Sequence, residues 1–118
     1  MSTAAHIVVA LIGLLHIYIL VLEMFLWTKP AGLRAFGQTP QTAELTKVLA
    51  ANQGLYNGFL AAGLLWGVWL GPAGNAIKVF FLLCVLVAGL YGAATASRKI
   101  LFVQAVPALI GLALVALS

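Results

Sequence analysis

The chain has 118 residues, 64% of them hydrophobic and 7% charged, with a mean hydropathy of +1.16. A soluble domain of this length cannot hide that much apolar surface, so the composition points to an integral membrane protein. The net charge of +4 comes from basic residues scattered between apolar runs. They form no stripe, so no nucleic-acid partner is expected, and they read instead as topology signals.

Four apolar segments, near 4–28, 48–70, 76–96 and 100–117, are long enough to cross a bilayer as helices, which takes roughly 20 residues. The first lacks a basic leader and exceeds the usual length of a cleaved signal core, which fits a retained helix. The connection after it, KPAGLRAFGQTPQTAELTK, is the only long one. Within it, Thr39 before Pro40 is a helix N-cap followed by proline at the first helical position, so the second helix is expected to run from about Pro40 to Leu70. Its first turns, with Glu44 and Lys47, are expected in water or among headgroups. Gly71, Pro72 and Gly74 end it, and Asn75 is expected to cap the third helix. Ser97, Arg98 and Lys99 turn the chain into a fourth helix, where Pro107 removes a hydrogen bond from the Val103 carbonyl and predicts a kink.

Lys29, Arg34, Lys47, Arg98 and Lys99 flank the first and third connections, and Lys78 alone flanks the second. The basic bias sets those two connections on the cytoplasmic side of a bacterial inner (plasma) membrane, with both termini outside. The expected architecture is all-α, a single domain forming an up-down four-helix transmembrane bundle. Cys84 has no partner cysteine in the chain and reads as a small buried hydrophobe.

Polar residues inside such segments are costly, so their directions matter. At about 100° per residue, His16, Glu23 and Trp27 share a face of the first helix. On the second, Asn52 stands with Tyr56 and Gln53 with Asn57, each pair four residues apart. The third aligns Tyr91 and Thr95, and the fourth carries Gln104. Most of these lie at one depth, about one to one and a half turns from the cytoplasmic boundary, with His16 and Asn57 nearer mid-bilayer.

Amides, threonine and phenols in membranes also serve as interhelical hydrogen-bond partners, and that plainer reading covers Asn52, Gln53, Thr95 and Gln104 taken singly. Trp27 reads equally as a packing or interface aromatic, and His6 as interfacial. Glu23 is different. An ionised carboxylate in hydrocarbon is expensive, and no Lys or Arg of the chain lies at its depth. Glu23, His16 and Tyr91 are therefore the candidate acid–base groups. Asn52, Gln53, Tyr56, Asn57, Thr95, Gln104 and Trp27 are the candidate ligand-binding groups. No metal site is expected, because His6 and His16 lie about 15 Å apart along one helix. No cofactor motif is present.

Small residues recur at four-residue spacing: Gly54, Gly58 and Ala62 form one ridge, Gly63, Gly67 and Gly71 a second, and Ala88, Gly92 and Ala96 a third. They predict close helix packing, with one face available to a homodimer.

The blocks HIYILVLEMFLWTKPAGLRAFG and TKVLAANQGLYNGFLAAGLLWG resemble a family of small bacterial four-span membrane proteins catalogued as a domain of unknown function. The resemblance covers nearly the whole chain. It implies an inner-membrane location and four helices, and it assigns no activity to any position.

Three functions fit the residues. The first is a site that binds a small lipophilic molecule, such as a quinone or terpenoid, and moves a proton on it. The second is a proton-coupled small-molecule transporter, which needs a homo-oligomer. The third is a non-catalytic assembly protein whose polar layer fixes helix packing. A cavity reaching Glu23 discriminates between them. Membrane lipid is a partner in every case.

Overall fold

A computed structural model describes residues 2–118. Among these the chain is all-α. Helix α1 spans Ser2–Met24, α2 Pro30–Phe36, α3 Pro40–Trp69, α4 Asn75–Thr95 and α5 Val106–Ala116; a 3-10 turn occupies Gly71–Gly74 and a π-helical turn Leu101–Ala105. Two compact units divide the chain, one of Leu14–Ala61 and one of Met1–Gly13 with Ala62–Ser118.

In the Leu14–Ala61 unit, α1 stops at Met24, four residues before the boundary the apolar run suggests, and Trp27 lies in the turn beyond it. The last turn widens there: the N–H groups of both Phe25 and Leu26 donate to the Val21 carbonyl. The long connection is largely helical rather than open. Pro30 starts α2, and Gly37 ends it in the left-handed region at φ 61°, donating its N–H to the Leu33 carbonyl. Glycine adopts that conformation without the Cβ penalty other residues meet. Gly32 is the position that seats α2, because a Cβ there would lie 2.0 Å from the Leu26 carbonyl oxygen. A seven-residue helix carries too weak an apolar period to be read from sequence; its proline and glycine boundaries were the available signal.

The expected cap of the next helix is present. Thr39 Oγ1 accepts from the Thr42 N–H at 3.1 Å, and Pro40 opens α3. Within the same unit α1 and α3 approach closely where glycine permits. A Cβ on Gly54 would lie 2.6 Å from Met24 Cγ, 3.1 Å from Glu23 Cβ and 3.2 Å from the Leu20 carbonyl oxygen, whereas one on Gly58 would meet only the Leu20 side chain, at 2.6 Å.

The second unit shows two departures from expectation. Asn75 does not cap α4: the cap position is Gly74, with no side-chain hydrogen bond, and Asn75 is already helical. The preceding 3-10 turn sets this start point, with Gly71 at φ 64° and Gly74 lying 2.2 Å, by its would-be Cβ, from the Gly67 carbonyl oxygen. Ahead of Pro107 the helix does not simply kink. It widens into the Leu101–Ala105 π turn, closed by the Val106 N–H donating to the Leu101 carbonyl. Proline's missing donor and its ring clash with the carbonyl four residues back are relieved by such a widening. The turn also presses Ala105 main chain against α4, where a Cβ on Gly89 would be 2.7 Å from the Ala105 nitrogen. Gly92, on the predicted ridge, meets only the Ile100 side chain. Cys84 is partly exposed rather than buried.

Two stretches are long and apolar enough to cross a membrane, Ser2–Met24 and Gly71–Thr95; Leu101–Ala116 is apolar but shorter. In α3, Asn52, Gln53, Asn57 and the glycines dilute the hydropathy of an otherwise sufficient length.

Candidate functional site

Glu23 stands near the C-terminal end of α1, half-buried, and its Oε1 accepts a 2.6 Å hydrogen bond from Asn57 Nδ2 of α3. The contact depends on the close approach at Gly54, one helical turn before Asn57, where α3 has no side chain to hold α1 away. Among the described residues the ion pair is Lys47 with Glu44, so the Glu23 carboxyl has an amide and no cation beside it. An amide can donate to either form of a carboxyl or, flipped, accept from the protonated one. The arrangement can therefore hold or release a proton without losing its partner.

His16 is wholly buried and interacts with its surroundings. It precedes Glu23 by two turns of α1, roughly 10 Å along the axis at about 1.5 Å per residue, so the two share a face without touching.

The remaining candidates of this unit divide by environment. Trp27 donates its Nε1–H to Thr46 Oγ1 at 3.1 Å, stacks at a tilt on Phe36 with ring centroids 4.9 Å apart, and so ties the inter-helix turn to α2 and α3. Thr46 in turn donates to the Thr42 carbonyl at 2.8 Å. Asn52 is exposed and donates to the Val48 carbonyl of its own helix at 2.9 Å. Gln53 and Tyr56 are exposed. An open groove of about 440 Å³ runs along this side, lined by Met24, Lys47, Val48, Ala51, Asn52 and Leu55. Glu23 is next in chain to a lining residue but is not one itself.

In the other unit Tyr91 is 72% exposed. Thr95 donates to the Tyr91 carbonyl on its own helix at 2.7 Å, so the hydroxyl folds back rather than bridging helices. Gln104, in the π turn, packs its Cβ against Gly89 and has a partner.

By its place in the sequence Lys78 is a topology signal, yet it is only 1% exposed and is among the largest fully buried side chains, with Leu64, Leu82 and His16. Its stem runs over Gly67, whose would-be Cβ lies 2.7 Å from Lys78 Cγ. The available signal was Gly67 on the small-residue ridge, which marks a place where something must pass close.

The residues so far define an all-α chain with apolar helices of membrane-crossing length and a carboxyl–amide pair joining two of them. The chain belongs to the family described as protein of unknown function (DUF1304), whose model matches residues 10–116. It is also 31% identical to a protein of Lactococcus lactis subsp. lactis (strain IL1403) named Uncharacterized protein YpaA, across 99% of this chain and 96% of the relative. No solved structure matches it.

Proposed function

We propose that the chain is a multi-pass bacterial inner-membrane protein, with four crossing segments in one bundle and both termini outside, whose Glu23 site binds a small lipophilic molecule. The observation that carries this reading is the half-buried Glu23–Asn57 hydrogen bond, a carboxyl held between two helices with no cation to neutralise it. The neighbouring groove is lined by Met24 and not by Glu23. A molecule with a hydroxyl or carbonyl that enters it from the acyl-chain region trades a proton or hydrogen bond with the Glu23 carboxyl once the Met24 side chain swings aside.

The membrane reading is supported by which side chains face outward. Leu11 and Leu14 of α1, Phe25 just beyond it, Val48, Leu49 and Phe59 of α3, and Phe80 and Val87 of α4 are all more than half exposed. Polar His16 and Lys78 are inside. Water rejects that distribution and a lipid solvent accepts it.

The test uses the full chain in nanodiscs, with decylubiquinone and farnesol as probes, reading tryptophan quenching and proton uptake or release across pH 5–8. Glu23→Gln keeps shape and one hydrogen bond but cannot exchange a proton. Binding accompanied by proton exchange in the wild type and by none in Glu23→Gln supports the site. Equal proton counts in both would transfer the role to His16. Absence of binding by either probe, with Glu23→Gln as stable as the wild type, leaves the pair as helix packing and favours the assembly reading. Proton-linked uptake into vesicles would favour the transporter.

A further inference from the structure

Lys78 is buried at a cost that packing alone does not explain. An ammonium group removed from water without a counter-ion is unfavourable, whereas a methionine would fill the same space over Gly67. No hydrogen bond or ion pair among the described residues holds its Nζ. The side chain does face a cavity of about 240 Å³, which it lines with Ser2 and His6 from the start of α1, Asn75 from the first turn of α4, and Ser118. No lining side chain is acidic. The ammonium, an imidazole N–H, an amide NH₂ and a hydroxyl can all donate hydrogen bonds. The α4 N-terminus beside them has no side-chain cap, and the dipole there favours negative charge.

We propose that this cavity binds a phosphate group, with Lys78 as its counter-ion and His6, Asn75 and Ser2 as hydrogen-bond donors. The space suits that size: a water molecule takes about 30 Å³ of liquid volume, so a phosphate fits with several waters around it. The site uses neither Glu23 nor Asn57, so it stands or falls separately from the lipophilic-ligand reading. Its phosphate can come from solution or from a phospholipid headgroup; only the second source rests on the membrane reading.

The test uses the full chain in a zwitterionic detergent at fixed ionic strength. Inorganic phosphate is titrated with chloride as the control anion, and melting temperature and ³¹P line width are read. In parallel, retention of phosphatidylglycerol against phosphatidylcholine is measured by native mass spectrometry. Lys78→Met keeps the stem and removes the charge; Lys78→Arg keeps the charge. The expected result is stabilisation of the wild type by phosphate, by phosphatidylglycerol, or by both, with affinity lowered about tenfold or more in Lys78→Met and retained in Lys78→Arg. Phosphate alone acting identifies a dissolved anion as the source, and retained lipid alone a headgroup. His6→Gln and Asn75→Ala, which leave Lys78 in place, should weaken binding too, and they serve if Lys78→Met does not fold. No response to either probe, or an equal response in the wild type and Lys78→Met (in the two donor variants, if Lys78→Met does not fold), overturns the proposal.

Discussion

Replacing Gly54 by alanine separates close packing from the mere presence of a small residue. The added methyl would sit 2.6 Å from Met24 Cγ, 3.1 Å from Glu23 Cβ and 3.2 Å from the Leu20 carbonyl oxygen. Met24 can swing aside, but a carbonyl and a Cβ move only with their helix. Helix α1 must therefore retreat by a few tenths of an ångström, which stretches the 2.6 Å Glu23–Asn57 bond. Overpacking costs about 1–3 kcal/mol, and weakening an interhelical hydrogen bond adds roughly 0.6–2 kcal/mol. Alanine's better helix propensity returns about 1 kcal/mol. The net is a loss of roughly 0.6–4 kcal/mol. At Gly58 the methyl meets only Leu20 Cδ1, the far end of a flexible chain, so Gly58→Ala should be neutral or gain up to about 1 kcal/mol. Unfolding of both variants in mixed micelles, followed by circular dichroism, measures the difference. Equal shifts for the two glycines, or a Gly54→Ala protein firmer than wild type, would refute the packing argument.

Gly32→Ala places a methyl against the Leu26 carbonyl oxygen and should release α2; hydrogen exchange at 30–36 rising to the level of an exposed loop is the expected result, and unchanged protection counts against it. Trp27→Phe loses the hydrogen bond to Thr46 while keeping the ring on Phe36, so it should cost about 0.5–1.5 kcal/mol, and Thr46→Val added to it should cost less than Thr46→Val alone, because only the bond to the Thr42 carbonyl is left to lose. A double variant whose loss equals the sum of the singles would contradict that coupling. Gly89→Ala, facing the Ala105 nitrogen, should destabilise more than Gly92→Ala, which faces an isoleucine side chain; a reversed order in thermal melts would mean the π turn does not pack as described. A reporter fused after Ser118 should be active outside the cytoplasm, and cytoplasmic activity would reverse the proposed orientation.

Sequence alone determined the helical class, the Thr39–Pro40 start of α3, its end before Gly71 and the turn at Ser97–Lys99. The boundaries follow from local chemistry: a side chain capping its own helix, a proline whose φ is fixed, or a glycine free to take positive φ. Apolar composition likewise singled out Glu23, because a carboxyl among hydrocarbon is anomalous wherever the chain goes. The pairing of Glu23 with Asn57 was not legible, since it depends on how closely two helices approach at Gly54. A ridge of small residues shows only that approach is permitted. Periodicity likewise grouped Asn52, Gln53, Tyr56, Tyr91 and Thr95 with the site, yet Asn52 and Thr95 satisfy their own helices and the others face outward. Lys78 shows the limit most clearly. By position it is a flanking charge like Lys29 or Arg98, and only the packing of α4 over Gly67 turns it inward, because burial belongs to neighbours that the local sequence does not name.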